Sequence, residues 1–126
     1  MAIVKEFPAD FFGETLTSYL TDDGRAHIPL RRLCEALGIE VSSQRQRILH
    51  NPVLADALTP LIIPTPFRGS IRPQKVLCLD TNLLFYWIST LDTSRIKAEI
   101  RSQVIAYQRA LADSTGHIFM GGIEPD

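Results

Sequence analysis

The stretch from Ile28 to Ile48 constrains the fold more than any other part of the chain, because two helix patterns follow one another there with only a short break. Four apolar residues recur at the spacing of one helical face, namely Leu30, Leu33, Cys34 and Leu37. Pro29 suits the first turn of this helix, and Gly38 suits the left-handed residue that commonly ends one. The pattern predicts a short amphipathic helix, a tight turn and a second helix.

The second helix is predicted to start at Ser42 or Ser43, since either side chain can accept N-terminal N–H groups, and to end before Pro52. It carries arginines and glutamines, the side chains that can make paired hydrogen bonds to guanine and adenine edges. Two short helices packed on a sheet, with a solvated Arg/Gln face, would show the same pattern. The helix pair alone therefore leaves DNA reading and a structural role equally open.

The predicted direction of each side chain shows which residues of this second helix could contact a partner. At about 100° per residue, its predicted inner face consists of Val41, Ile48 and Leu49. Arg45 is expected to lie half-buried on that face, where pairing with a carboxylate or with helix-end carbonyls is favoured over contact with a ligand. Gln44 and Arg47 are predicted to point outward, so they are the better candidates for reaching a partner.

Several segments around the helix pair read as strands. A hairpin is predicted from residues 15–20, a turn at residues 22–24 and a strand that ends at Pro29, and further strands are predicted near residues 61–63 and 75–79. Because strands and helices do not alternate regularly, a parallel doubly wound sheet is disfavoured. We predict a single α+β domain with a short antiparallel sheet and helices packed on one side.

Residues 64–73 lie between two predicted strands and combine prolines, a glycine, two arginines and a phenylalanine. One interpretation is a hairpin tip on which Phe67 packs against a partner while Arg68 and Arg72 neutralise the charge of that partner. The other is a plain connecting loop that its prolines restrain, and the pattern alone favours this one.

The apolar run from Leu83 to Ile88 has no polar face, so it is expected to be enclosed. Either a core helix over about residues 81–91 or a buried strand fits, because periodicity does not separate the two. Its surplus of aromatic and aliphatic residues favours a second subunit that covers part of it. We predict a two-fold dimer with an interface that contains Leu84, Phe85, Trp87 and Ile88.

A last helix is predicted after Thr93 or Ser94, either of which can cap it. Its narrow apolar stripe runs from Ile96 to Leu111. Beyond Asp113 the periodicity stops and two adjacent glycines appear, which is typical of a tail or the start of a linker.

Charge is distributed unevenly along the chain, although the net charge is only −1. Residues 25–75 carry eight basic and three acidic groups, a net charge of +5. A localised basic surface can bind phosphates, and it can equally meet an acidic protein. The sequence does not separate these two partners.

Composition and spacing argue against several other classes of protein. With 126 residues, of which 45% are hydrophobic, the chain can bury one modest core. No secretory signal or membrane span is found, and Cys34 and Cys78 lie singly in apolar patterns, so reduced thiols in a cytoplasmic protein are expected. The three histidines lack the spacing of a metal site, and no phosphate loop or nucleophile elbow occurs. We predict no enzyme activity, no cofactor and no metal.

Several short motifs occur in a recognisable order. They are Gly13 before a strand, Ile28-Pro29-Leu30, the phrases LCEALGIE and SSQRQRI, Asn51-Pro52, Val76-Leu77-Cys78-Leu79, Trp87-Ile88, and Arg101 with Tyr107-Gln108. This order resembles the phage antirepressor N-terminal domain family, a relative of the Bro-N domains of phages and large DNA viruses. The resemblance covers residues 11–112, and it leaves residues 1–10 as an N-terminal extension and 113–126 as a tail or linker start. It also favours a helix over residues 83–88.

The resemblance implies a regulatory role. Members of the family bind a phage repressor protein and relieve repression, which switches a prophage toward lytic growth. Direct DNA binding, as attributed to Bro-N relatives, and an assembly module of a longer protein are the alternatives. We rank the protein partner first, because the chain is not basic overall. The residues predicted to bind a partner or nucleic acid are Arg31, Arg32, Gln44, Arg47, Phe67, Arg68, Arg72 and Lys75.

Overall fold

The computed structural model describes residues 1–119, which contain a five-stranded sheet and four α-helices. The strands are β1 (Ile3–Phe11), β2 (Glu14–Thr21), β3 (Ala26–Pro29), β4 (Leu58–Phe67) and β5 (Ser70–Asp80). Their order in the sheet is β1-β2-β3-β5-β4, and every neighbouring pair is antiparallel. The short strand β3 therefore joins two longer hairpins, one at each edge of the sheet.

The helices follow β3 and β5. They are α1 (Leu30–Leu37), α2 (Val41–His50), α3 (Leu84–Ser89) and α4 (Ala98–Phe119), with 3-10 turns at Thr81–Leu83 and Thr93–Arg95. As predicted, Gly38 ends α1 in the left-handed region, with a φ of 74°. A Cβ at this position would also lie 2.9 Å from the Cβ of Lys97, so packing demands glycine there as well as backbone geometry. The prediction for the start of α2 is wrong, because Glu40 precedes its first residue and accepts hydrogen bonds from Ser42 and Ser43.

Both long hairpins turn through the same two-residue geometry. Phe12 and Gly13 join β1 to β2 with φ values of 49° and 89°, and Arg68 and Gly69 join β4 to β5 with values of 47° and 79°. Two successive positive φ values give a turn whose twist matches that of the flanking strands, and glycine in the second position lowers its cost.

Three boundaries predicted from the sequence differ from those in the structure. Residues 1–10 are not an extension, since residues 3–10 pair with β2 as most of β1. Residues 64–73 are not a connecting loop, because the strands of the second hairpin run through them to the turn at Arg68. Helix α4 continues past Asp113 to Phe119, beyond the point where the apolar stripe ends. The remainder of the predicted tail, residues 120–126, lies outside the described residues.

The helices cover one face of the sheet. Ile28 and Leu79, which are opposite one another on β3 and β5, belong to the main core together with Leu33, Ile48 and Trp87 of the helices. Side chains alternate between the faces of a strand, so Cys78 points to the other face. There it joins a smaller cluster with Tyr19, Leu61 and Ile63, to which no helix contributes. The predicted α+β class, with helices on one side of an antiparallel sheet, is confirmed.

Prolines protect both edges of the sheet. The edge strand β4 carries Pro60, Pro64 and Pro66, and the edge strand β1 carries Pro8. The last strand residues before the two turns are Phe11 and Phe67, and each proline lies an odd number of positions before the one on its own strand. At such positions the backbone N–H of a residue points away from the neighbouring strand, so a proline there removes no hydrogen bond of the sheet. These positions cost the sheet no internal hydrogen bond and hinder pairing with another strand.

Among residues 1–119, none of the helices combines the length and the apolar character that crossing a membrane requires.

Candidate functional site

The second hairpin extends beyond the core as an arm, defined here as residues 64–75. Its residues are exposed on both faces of the ribbon, apart from a half-buried Thr65. Between Asp56 and Asp80 the sequence contains no carboxylate, while Arg68, Arg72 and Lys75 fall inside the arm. The arm is therefore a projecting and purely cationic ribbon.

The tip of the arm places one aromatic ring between two guanidinium groups. The Cζ atoms of Arg68 and Arg72 lie 5.3 and 5.0 Å from the centroid of the Phe67 ring, within the range of cation–π contacts. Phe67 stays 38% exposed. Of the two interpretations of residues 64–73, the structure agrees with the hairpin tip. Phenylalanine and arginine together are a composition that protein interfaces favour.

A groove of about 610 Å³ lies between the arm and the N-terminal ends of α1 and α2. Four cationic side chains line it, namely Arg31, Arg32, Arg45 and Lys75. Its apolar lining comes chiefly from Val41, Ile63, Val76 and Leu77, and no carboxylate belongs to the lining. We call this feature the basic groove. It brings together cations from the two consecutive helices α1 and α2 and from the distant strand β5.

The cations of the basic groove are largely free of internal partners. Arg32 pairs with Glu35 at 3.0 Å, and both side chains are exposed, so the pair contributes little. In the described part of the chain, Arg31, Arg45 and Lys75 have no carboxylate within 4.0 Å. Their charges are therefore available to a partner.

The predicted orientation of three α2 side chains is wrong. Gln44 is buried, and its Oε1 accepts hydrogen bonds from the indole Nε1 of Trp87 at 3.2 Å and from Arg47 at 2.9 Å. Arg45 is exposed and lines the basic groove, and Leu49 is exposed as well. A buried indole N–H requires an acceptor, and this requirement turns the helix so that Gln44 faces inward. Gln44 is thus a core residue and Arg45 a surface cation that the sequence prediction missed.

Arg47 also holds the fold together. Besides its bond to Gln44, it donates to the backbone carbonyl of Thr90 at 2.7 Å, which ties α2 to the end of α3. The second, smaller pocket, of about 300 Å³, contains Arg47 together with Asp92 and Arg95. Arg47 is therefore separate from the basic groove, and replacing it would disturb the packing of α3.

A helix rather than a strand is confirmed for the apolar run, although α3 is shorter than the predicted range of about residues 81–91. The expectation that the run would be fully enclosed is wrong. Trp87 and Ile88 are buried within the chain, so neither is accessible for the predicted dimer interface. Phe85 is 53% exposed and stacks on Tyr107 of α4, with ring centroids 5.9 Å apart. Tyr107 also meets Phe12 edge-on at 5.7 Å. We call Phe12, Phe85 and Tyr107 the aromatic patch. Leu84, the residue before Phe85 in the chain, is half-buried.

The thiols and the buried polar groups do not form a reactive centre. Burial raises the pKa of the Cys34 and Cys78 thiols to about 12, so both remain protonated and unreactive near neutral pH, as expected for core cysteines. Thr21 Oγ1 lies 3.1 Å from His27 Nε2, but both side chains are buried. Among residues 1–119, no three potential ligands are grouped to hold a metal ion. The absence of enzyme activity stays a prediction.

Comparison with known protein families gives a match over most of the chain. The family model described as the P22_AR N-terminal domain matches residues 8–123, which include β2 to β5, all four helices and the end of β1. Neither the curated proteins nor the solved structures provide a significant match.

Proposed function

Because this chain belongs to the P22_AR N-terminal domain family of phage antirepressors, we propose that it binds a repressor protein and relieves repression. The membership confirms the resemblance drawn from the sequence and supports a phage regulatory role. The partner itself is our inference, and the projecting arm is the observation that carries it.

The tip of the arm has the features of a protein-binding anchor. An exposed aromatic ring held by two arginines offers apolar area with little loss of side-chain freedom, because the contacts to Arg68 and Arg72 already restrict Phe67. Aromatic and arginine residues dominate the measured energetics of protein interfaces. The prolines on both sheet edges hinder strand addition, so the tip and the basic groove are better suited to a partner than the edges are.

The test is release of operator DNA from the repressor of the phage that encodes this chain. In a mobility-shift assay, adding the chain to the repressor–operator complex should free the DNA. Phe67→Ala should weaken binding to the repressor by about thirtyfold, since losing a central anchor costs on the order of 2 kcal/mol. Tyr86→Ala is the matched control, because Tyr86 is an aromatic residue of almost equal exposure outside the arm, and it should leave binding unchanged.

Failure of the chain to bind the repressor or to free the DNA would refute the proposal. If Phe67→Ala and Tyr86→Ala lowered the affinity for the repressor equally, the repressor would remain the partner, but the tip of the arm would not be part of the interface.

Direct DNA binding is the second candidate, and the shape of the arm favours it. A two-stranded ribbon fits the major groove, and Arg68, Arg72 and Lys75 could contact phosphates. In that case the chain should shift DNA without a repressor, and each lost phosphate contact should reduce the salt dependence of binding by about one unit. We rank it second because the chain carries a net charge of −1.

A further inference from the structure

The basic groove has one more property that bears on its partner: no carboxylate lines it, although Arg32 pairs with Glu35 outside the lining. Glu35 of α1 and Glu40 before α2 belong to the elements that form the groove, yet neither lines it. The first turn of α1 contains two arginines and no acidic residue, and no side chain caps its N-terminus. The N-terminus of a helix carries a partial positive charge, so cations placed there are electrostatically unfavourable. Arg31, Arg32, Arg45 and Lys75 are exposed and together give the groove a positive charge that an anionic partner can neutralise.

The floor of the groove selects among anionic partners. Val41, Val76 and Leu77 are half-buried apolar side chains between the cations, and they leave apolar area for a partner to cover. The one aromatic residue of the lining, Tyr19, is buried, so no ring is presented for stacking with bases. The groove, at about 610 Å³, has the size of a site for a short segment and is too small to admit a DNA duplex.

An extended polypeptide matches this mixture of charge and apolar surface. Side chains of an extended segment point alternately to opposite sides, so carboxylates can face the cations while apolar side chains meet the floor. We propose that the basic groove binds an extended acidic segment of the partner protein. This inference rests on the proposed function for the partner being a protein, and it adds the chemistry of the segment that the chain recognises.

The test uses a fluorescent peptide of about eight residues in which Glu and Leu alternate, and a second peptide with Lys in place of Glu. We expect the acidic peptide to bind with a Kd between about 10 and 100 μM at low salt, more weakly as salt increases, and the basic peptide not to bind. The double variant Arg45→Glu with Lys75→Glu should lower affinity for the acidic peptide at least about tenfold. The neutral pair Arg45→Gln with Lys75→Gln should give an intermediate loss.

A matched control makes the same charge change outside the groove. Arg68→Glu with Arg72→Glu alters the tip of the same hairpin. At about 0.15 M salt, where the Debye length is only about 8 Å, it should change affinity for the acidic peptide by less than about threefold. Since Arg45 and Lys75 are exposed and make no ion pair within residues 1–119, the groove variants should keep the circular dichroism of the parent chain.

Three results would overturn the inference. They are no binding of the acidic peptide at about 1 mM, equal losses for the groove and tip variants, and tighter binding of short single-stranded or duplex DNA that the groove variants abolish. Repressor release separates the two proposals. If the groove variants still release operator DNA as the parent chain does, the proposed function is supported and the role of the groove in it is refuted. If no repressor is bound but the peptide binds as expected, the groove stands and the proposed function falls.

Discussion

The two long hairpins share a local design but differ in what their tips touch. Each ends in phenylalanine, one further residue and glycine, and each turns through two positive φ values. In the first, Phe11 is buried in the main core and Phe12 packs on Tyr107. In the second, Phe67 is only partly exposed and lies between Arg68 and Arg72, outside both core clusters. The same turn therefore serves the core at one edge of the sheet and remains available to a partner at the other.

The difference comes from what lies opposite each tip. Lys97, just before α4, pairs with Glu14 at the first turn at 3.2 Å, and Tyr107 of α4 packs against Phe12. No described helix packs against the arm beyond Ile63, where the side chains become exposed on both faces. A hairpin tip is thus available for binding only where the rest of the fold leaves it uncovered.

The largest expected effect is a contrast in stability between the two phenylalanines. Phe11→Ala should lower the free energy of unfolding by about 3–5 kcal/mol, because it leaves a cavity in the main core. Phe67→Ala should lower it by less than about 1 kcal/mol, since only partial burial and two cation–π contacts are lost. Urea denaturation measures both. A loss above about 2 kcal/mol for Phe67→Ala would mean that the arm is part of the core.

A smaller contrast is expected between the turn glycines. No atom lies within 4 Å of a Cβ built at Gly13 or Gly69, so a substitution at either costs only backbone strain. Gly13→Ala should destabilise the chain by about 1–2 kcal/mol. Gly69→Ala should cost less globally, because the arm can open without exposing the core, and it should speed hydrogen exchange at residues 65–72. Equal global losses, with no change in exchange, would contradict independent opening of the arm.

The surroundings of the first tip lead to a prediction about self-association. We propose that the aromatic patch pairs two copies of the chain, with exposed Phe85 at its centre. Light scattering at micromolar concentration should then give about twice the chain mass of 14.1 kDa, and Phe85→Asp should restore the single mass. Phe67→Asp is the control on the other hairpin and should leave the dimer intact. A monomeric mass at all concentrations tested would refute the proposed dimer.

The smallest expected effect is on the pH dependence of stability, and it concerns Asp23 in the turn between β2 and β3. Hydrogen bonds from the Thr21 hydroxyl and from the Arg25 backbone N–H lower the pKa of Asp23 below its ordinary value of 3.8. A lowered pKa stabilises the fold above that ordinary value, and this contribution is lost as pH falls through the folded-state pKa. Asp23→Asn should therefore reduce the stability difference between pH 7 and about pH 3 measured by urea denaturation. An unchanged difference would contradict this role.

Local patterns predicted most of the elements correctly. The apolar spacing of Leu33 and Leu37, together with the stop at Gly38, fixed α1, because these residues determine helix periodicity and backbone conformation within a few positions. The basic character of residues 25–75 was also evident, since charge is a property of composition. The family resemblance followed from the order of motifs and is confirmed by the match over residues 8–123.

Tertiary structure alone decided which side chains line the basic groove and which lie in the core. Hydrophobicity placed Gln44 outside and Arg45 inside, whereas the need of the buried Trp87 indole for an acceptor reversed them. The prolines of β4 suggested a loop, and only the position of that strand at the sheet edge lets it carry them without losing hydrogen bonds. The basic groove unites Arg31 and Arg45 of the helix pair with Lys75 of the distant strand β5. Sequence spacing encodes contacts along one element, but which surfaces meet or stay uncovered is settled only when the elements pack.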